Sequence, residues 1–209
     1  MLKYFFIIKE IAQYIIRMRI LIIYFDSFYS DFVYRFRKRP KEYEVDYIAY
    51  DLLACYLEAR RTAPPDVVIL AGSYFRILEQ SDVPQVVRLI RTGIPIIGVC
   101  YGFQLLALLD GGRLHHGRHL HRGHRFIRIK ETEQQLFFNH FDTVVELPEG
   151  WRVHHRFSKN KRDESHSFVN MASKGNWWGF QFHPEKTQRT FDRFILPILQ
   201  RIQRGLKKT

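Results

Sequence analysis

The apolar run PIIGVCYGFQLLALLDGG (residues 95–112) holds a cysteine, Cys100, between Gly98 and Gly102. A buried strand has no need of the thiol, and an ordinary helix does not select the glycines. The order strand, G-x-C-x-G, helix resolves the conflict. The chain must turn sharply between the two elements, and glycine on either side removes Cβ atoms that would collide in the bend. The same geometry displays the serine of a G-x-S-x-G elbow above a sheet. The turn is expected to leave Cys100 strained and exposed, with the first N–H groups of the following helix aimed at its sulfur. Those donors and the helix dipole favour a thiolate, and the N–H of Tyr101 supplies one arm of an oxyanion hole. A cysteine in a tight turn can also be just a small buried residue; the spacing and context favour a nucleophile.

Outward from this unit, strand-like and helix-like segments alternate. The strands are RILIIYF (19–25), EYEVDYIAY (42–50), DVVILAG (66–72) and IPIIGV (94–99). The helices are SDFVYRFRKR (30–39, with Ser30 as a cap and Pro40 as a stop), DLLACYLEARR (51–61), VPQVVRLIRTG (83–93) and GFQLLALLDGG (102–112). Four such alternations predict a three-layer α/β fold, a mostly parallel central sheet with helices on both faces. The second half is less regular: RFIRIK (125–130), DTVVELP (142–148) and WWGFQFH (177–183) read as strands, and residues 190–208 as a closing basic amphipathic helix. With no internal repeat or low-complexity linker, residues 18–209 read as one domain. Residues 1–17 precede a second methionine, Met18, and stand apart as an extension. They read as an amphipathic helix, a product of an upstream start codon, or an interaction tail, and they lack the cleavage site of a signal peptide.

Of the 209 residues, 46% are hydrophobic and 26% charged, a folding composition rather than a disordered one. Lys and Arg number 33 against 21 Asp and Glu, a net charge of +12. That charge attracts phosphate-bearing ligands, nucleic acid or acidic partners without choosing among them. Two cysteines cannot build a disulfide framework, so a reducing, cytoplasmic location is expected, and no run reaches the length of a membrane span. The mixed segment FYSDFVYRFRKR (28–39) reads as an apolar and a charged helix face rather than a nucleic-acid surface. HHGRHLHRGH (115–124) holds five of the ten histidines. Its spacing fits no zinc pattern, so it reads as a solvated basic loop able to dock an acidic partner or a phosphate. FSKNKRDE (157–164) reads as an exposed turn, and Cys55 as part of the core.

A cysteine nucleophile needs a base, and the base an orienting group. In WWGFQFHPEKTQ (177–188), His183 and Glu185 lie two apart, so on an extended segment both side chains point the same way. His183 is positioned to take the thiol proton and Glu185 to hold the imidazole. A histidine among aromatics is often only a satisfied core residue, but H-P-E after an aromatic strand is a more specific unit.

GVCYGFQLLA together with GFQFHPEKT resembles the class I glutamine amidotransferase family of the triad type. ILIIYFDSF, VVILAGS and NHFDTVVELPEGW match further family segments in the right order from Met18 onward. The resemblance implies a flavodoxin-like fold and glutamine hydrolysis, with Cys100, His183 and Glu185 as triad. Backbone N–H groups near Gly72, Ser73 and Tyr101 would hold the oxyanion, Gln104 would help bind the substrate, and main chain at His140 and Phe141 would meet its amino-acid end. No metal or organic cofactor is implied; the ammonia would pass to a synthase on another chain. CYGFQ and HFDTVVELPEG resemble the amidotransferase part of GMP synthase, DSF the anthranilate and aminodeoxychorismate synthases, and HPEKTQ the histidine-biosynthesis member; the first ranks highest. Ser73 stands where the family usually has a second glycine, which makes a peptide flip at the oxyanion hole more costly. A γ-glutamyl hydrolase with the same triad, or a non-catalytic relative that binds a partner, are the competing readings.

Overall fold

A computed structural model describes residues 17–26, 30–77, 84–129, 131–158 and 167–206. The strands β1 (Met18–Tyr24), β2 (Tyr43–Ala49), β3 (Val67–Leu70) and β4 (Ile96–Val99) alternate with the helices α1 (Ser30–Arg37), α2 (Leu53–Ala59), α3 (Pro84–Ile90) and α4 (Tyr101–Leu109). All eight elements read from the first half are present, with ends shortened or shifted by up to three residues. A 3₁₀ turn at Tyr50–Leu52 replaces the expected start of α2.

The main sheet has seven strands in the order β2-β1-β3-β4-β11-β10-β9, where β9 is Arg152–Phe157, β10 Phe168–Lys174 and β11 Trp177–Phe180. The five strands from β2 to β11 pair in parallel, and β10 and β9 add antiparallel at one edge. Alternation along β1 sorts the layers. Ile20 and Ile22 point into a core shared with Phe32 and Phe36 of α1 and with Phe191, Ile195 and Leu199 near the C-terminus. Leu21 and Ile23 point into the opposite core with Leu53, Val86, Leu89, Leu105 and Leu106. Both faces are thus covered, as continuous apolar strands require. Truncating Leu21 or Ile22, neither measurably exposed, to alanine is expected to cost about 2–5 kcal/mol.

The second half departs from expectation. Among the described residues it holds seven strands rather than three. The segment read at 125–130 is the end of a longer β6 (His121–Ile129), paired antiparallel with β7 (Thr132–His140). The strand read at 142–148 is β8 (Thr143–Glu146), which pairs with β5 (Arg113–His115) outside the main sheet. The histidine-rich 115–124 is therefore not all loop: its two ends lie in β5 and β6, whose exposed positions are arginines, His115, His124 and Phe126. The closing helix is broken into α5 (Gln188–Thr190), a π turn over Phe191–Ile195 and α6 (Leu196–Leu206). Pro197 explains the break: it has no N–H for the preceding turn, and the wider turn sits just before it.

Cys55 is exposed, not core. Leu53 is the residue of α2 that turns inward, and Cys55 lies two residues, about 200°, further round the helix. Of the expected extension at 1–17, only Arg17 lies within the described residues, as does only Phe157–Ser158 of the turn read at 157–164. Among the described residues no helix is long and apolar enough to cross a membrane.

Candidate active site

Strand β4 ends at Val99, and Cys100 follows with φ 52° and ψ −106°, the one described non-glycine residue at positive φ. Its N–H donates to the Phe180 carbonyl at 2.6 Å, tying the bend to β11, and its carbonyl accepts the Gln104 N–H at 3.0 Å as α4 begins. The flanking glycines are needed for close packing. A Cβ on Gly98 would lie 2.7 Å from the Gly102 carbonyl oxygen, and one on Gly102 would fall on the Leu70 carbonyl. The bend is strained as expected, but Cys100 is only 1% exposed. The expected exposure fails because the segment Asn139–Asp142 covers the thiol, whose Sγ lies 3.6 Å from the Asn139 carbonyl oxygen.

Strand β11 lies beside β4 in parallel register, Gly179 opposite Gly98 and Phe180 opposite Val99. The chain then runs on to His183, whose N–H donates to the Phe137 carbonyl of β7 at 2.8 Å. His183 Nδ1 and Glu185 Oε1 are 2.7 Å apart, both side chains 1% exposed. Glu185 does not sit on an extended segment: Pro184–Lys186 form a 3₁₀ turn. Proline stops an α-helix from running through but suits the first position of such a turn. Burial alone would lower the His183 pKa. Charge and hydrogen bonding with Glu185 and Cys100 outweigh it and raise the pKa to about 10.

Gly72 closes the triangle. A Cβ there would lie 2.7 Å from His183 Cε1 and 3.5 Å from the Cβ of Cys100. The end of β3, the bend after β4 and the turn after β11 therefore meet at one point, at the carboxyl ends of three adjacent parallel strands, where open α/β sheets place their ligands.

A cavity of about 80 Å³ opens beside Cys100, lined in part by Ser73, Arg76, Gln104, Asn139 and His140. Ser73 Oγ donates to Asp26 Oδ2 and accepts the Phe75 N–H, each at 2.8 Å, and the Tyr74 N–H also donates to Asp26. Arg76 Nη2 donates to Asp142 Oδ1 at 2.7 Å, and its guanidinium lies 5.4 Å from the centre of the Phe141 ring. Gln104 lines the cavity, but its Nε2 donates to the Asp142 carbonyl at 2.5 Å, bracing the far wall. The Tyr101 ring packs on Phe25, with centroids 4.8 Å apart. His140 is buried and stacks on His121 at 5.2 Å, and neither ring nitrogen makes a well-formed hydrogen bond. Burial, then the neighbouring His121 and His183, lower its pKa to about 3, so its ring is neutral. Asp26, Arg76, Asn139 and Asp142 were not singled out as site residues from the sequence. Their one signal is position: Asp26 follows the carboxyl end of β1, and the other three flank segments that were. Among the described residues no group of three or more His, Cys, Asp or Glu side chains is disposed to hold a metal ion.

Comparison with known proteins shows what the chain as a whole is similar to. A GMP synthase [glutamine-hydrolyzing] of Thermosipho melanesiensis is 29% identical over 187 residues, 85% of this chain and 34% of that protein. The Kluyveromyces lactis GMP synthase [glutamine-hydrolyzing] is 30% identical over 189 residues, with the same coverage. The chain thus spans about a third of the length of these relatives. Among solved structures, a GMP synthase subunit protein from Thermoplasma acidophilum superposes with a TM-score of 0.69 at 19% identity, over 92% of this chain and 96% of that one. A glutamine amidotransferase of Thermotoga maritima superposes with a TM-score of 0.56 at 20% identity, over 90% and 85%. These two likenesses show the fold. The family model described as glutamine amidotransferase class-I matches residues 21–198, and the chain belongs to that family.

Proposed function

We propose that the protein hydrolyses glutamine to glutamate and ammonia through a γ-glutamyl thioester on Cys100. The observation that carries this reading is the meeting of Gly72, Cys100 and the His183–Glu185 pair at one point beside the cavity. The Cys100 thiolate attacks the side-chain amide carbon. The carbonyl oxygen takes up negative charge and is held by backbone N–H groups at Tyr101 and at Gly72–Ser73. With Nδ1 engaged by Glu185, Nε2 of His183 gives its proton to the departing amide nitrogen, which leaves as ammonia. A water molecule then attacks the thioester, His183 takes its proton, and glutamate departs as the thiolate reforms. Gln104 and the main chain at His140 and Phe141 shape the end of the cavity that receives the amino-acid part of the substrate. No metal or organic cofactor enters this sequence.

The acceptor of the ammonia is a synthase on a separate chain, with GMP-synthase-like chemistry the first choice. Support for the GMP-synthase-like choice comes from the match to GMP synthases and from the fold shared with the Thermoplasma protein. Two cysteines without a disulfide between them suit a cytoplasmic location.

The test is glutamate release from glutamine by the purified protein, with Cys100→Ala as control and a glutamine-like electrophile mapped by mass spectrometry. The electrophile is expected on Cys100 and not on Cys55. A general thiol reagent reverses the order, because Cys55 is exposed and Cys100 buried. Active-site label on Cys55, or glutamate release that survives Cys100→Ala, overturns the assignment.

A further inference from the structure

Helix α1 carries an arginine in an unexpected place. The segment around it reads as one apolar and one charged face, yet Arg35 is buried, 8% exposed, on the helix that carries the core residues Phe32 and Phe36. Its guanidinium reaches across 150 residues of sequence to the turn that carries Glu185. Nε donates to the Glu185 carbonyl at 2.8 Å and Nη2 to the Lys186 carbonyl at 2.6 Å. Thr190 Oγ1 donates to the Pro184 carbonyl of the same turn at 2.7 Å. A three-residue 3₁₀ turn leaves its carbonyls without internal partners. Here all three are held by side chains, two of them by one cation. Outside this clamp, Lys186 Nζ donates to Asp31 Oδ2 of α1 at 2.6 Å, a more exposed second tie between helix and turn.

Burying a guanidinium is costly unless it is hydrogen-bonded. An aliphatic residue would fill the space beside Phe32 and Phe36 without that cost, so packing alone does not account for arginine. Its two charge-assisted bonds fix the backbone of Glu185 itself. We infer that Arg35 is a positioning residue for the catalytic turn: it fixes the backbone from which the Glu185 carboxylate reaches His183, and so maintains the histidine–thiol pair. This rests on the proposed roles of Cys100, His183 and Glu185. The titratable groups facing His183 are Glu185, Cys100 and neutral His140; Arg35 acts on the first through its main chain.

The experiment compares wild type, Arg35→Lys and Arg35→Gln in a Cys55→Ser background that removes the exposed thiol. It measures two things: steady-state glutamate release, and the rate of Cys100 alkylation by iodoacetamide across pH. Arg35→Gln is expected to lower kcat by about tenfold or more with little change in KM, the pattern of a group that acts on the chemical step. The pH at which alkylation rises is expected to move upward, because a looser Glu185 supports the imidazolium–thiolate pair less well. Arg35→Lys, which keeps the cation but on a single donor nitrogen, falls between the two. Unchanged kcat and an unmoved alkylation profile in Arg35→Gln overturn the inference, as does a loss confined to KM. Should Arg35→Gln not fold, Arg35→Lys carries the test: an upward shift of its alkylation profile upholds the inference, and an unmoved profile with unchanged kcat overturns it. The alkylation profile decides the role of Arg35 separately from the substrate: a wild type that is alkylated but releases no glutamate refutes the glutaminase reading alone.

Discussion

Ser73 Oγ donates to Asp26 Oδ2 at 2.8 Å, joining the loops that follow the neighbouring strands β1 and β3. The same carboxylate takes the Tyr74 N–H, so one aspartate sets the path of the chain just beyond Gly72. Asp26→Ala leaves a hydroxyl and an amide without their acceptor. It is expected to lower stability in urea by about 1–3 kcal/mol and to raise KM for glutamine. Asp26→Asn keeps an acceptor oxygen and recovers part of both.

Gly72 and Gly102 separate activity from folding. At Gly72 the added methyl meets the His183 ring at 2.7 Å. Gly72→Ala is therefore expected to displace the His183 ring and cut kcat by about a hundredfold, the scale of a misplacement near 1 Å, with a small change in melting temperature. At Gly102 the methyl meets backbone of Leu70, which cannot move aside. Gly102→Ala is expected to lower the melting temperature strongly, and melting curves beside glutamate assays tell the two effects apart.

Glu185→Gln removes the carboxylate that most favours charged His183. A drop in kcat of about 10²–10⁴-fold is expected. The stability difference between wild type and Glu185→Gln also depends on pH with a definite sign. The folded pKa of His183 is raised, so its contribution is complete below about 6.5, the ordinary histidine value, and fades as pH climbs toward about 10. Urea melts at pH 6.5, 8 and 9.5 should show the gap closing. A gap that widens upward contradicts the raised pKa.

His140 behaves in the opposite sense. Its folded pKa is lowered to about 3, so below about 6.5 the unfolded chain takes up a proton that the folded one refuses. Stability then falls with acidification by up to about 1.4 kcal/mol per pH unit from this group. His140→Phe removes the group, and its urea midpoint is expected to fall less than that of wild type between pH 6.5 and 5.

Gly98, Cys100 and Gly102 were legible in the sequence because their spacing has only one good use, a tight bend packed against neighbouring backbone. The alternation of Leu21 and Ile22 between two cores was legible because continuous apolar strands need cover on both sides. Asp26, Arg76 and Arg35 were not. Each works through a contact spanning 47, 66 or 150 residues, and an ordinary polar side chain carries no local mark of such a partner. The edge strands of the second half were obscured for a related reason: RVHHRF in β9 is largely exposed and lacks a clean apolar alternation. Cys55 misled because composition suggested an inward face that the short α2 turns elsewhere.

The rungs Gly98–Gly179 and Val99–Phe180 join two stretches of chain that meet only through folding. Slipping that ladder by one residue would invert every side chain of β11 and swing the imidazole to the wrong side of the sheet. Heritable or engineered remodelling is therefore least tolerated at these two rungs. The edge strand β9, whose side chains are largely exposed, is freer to change.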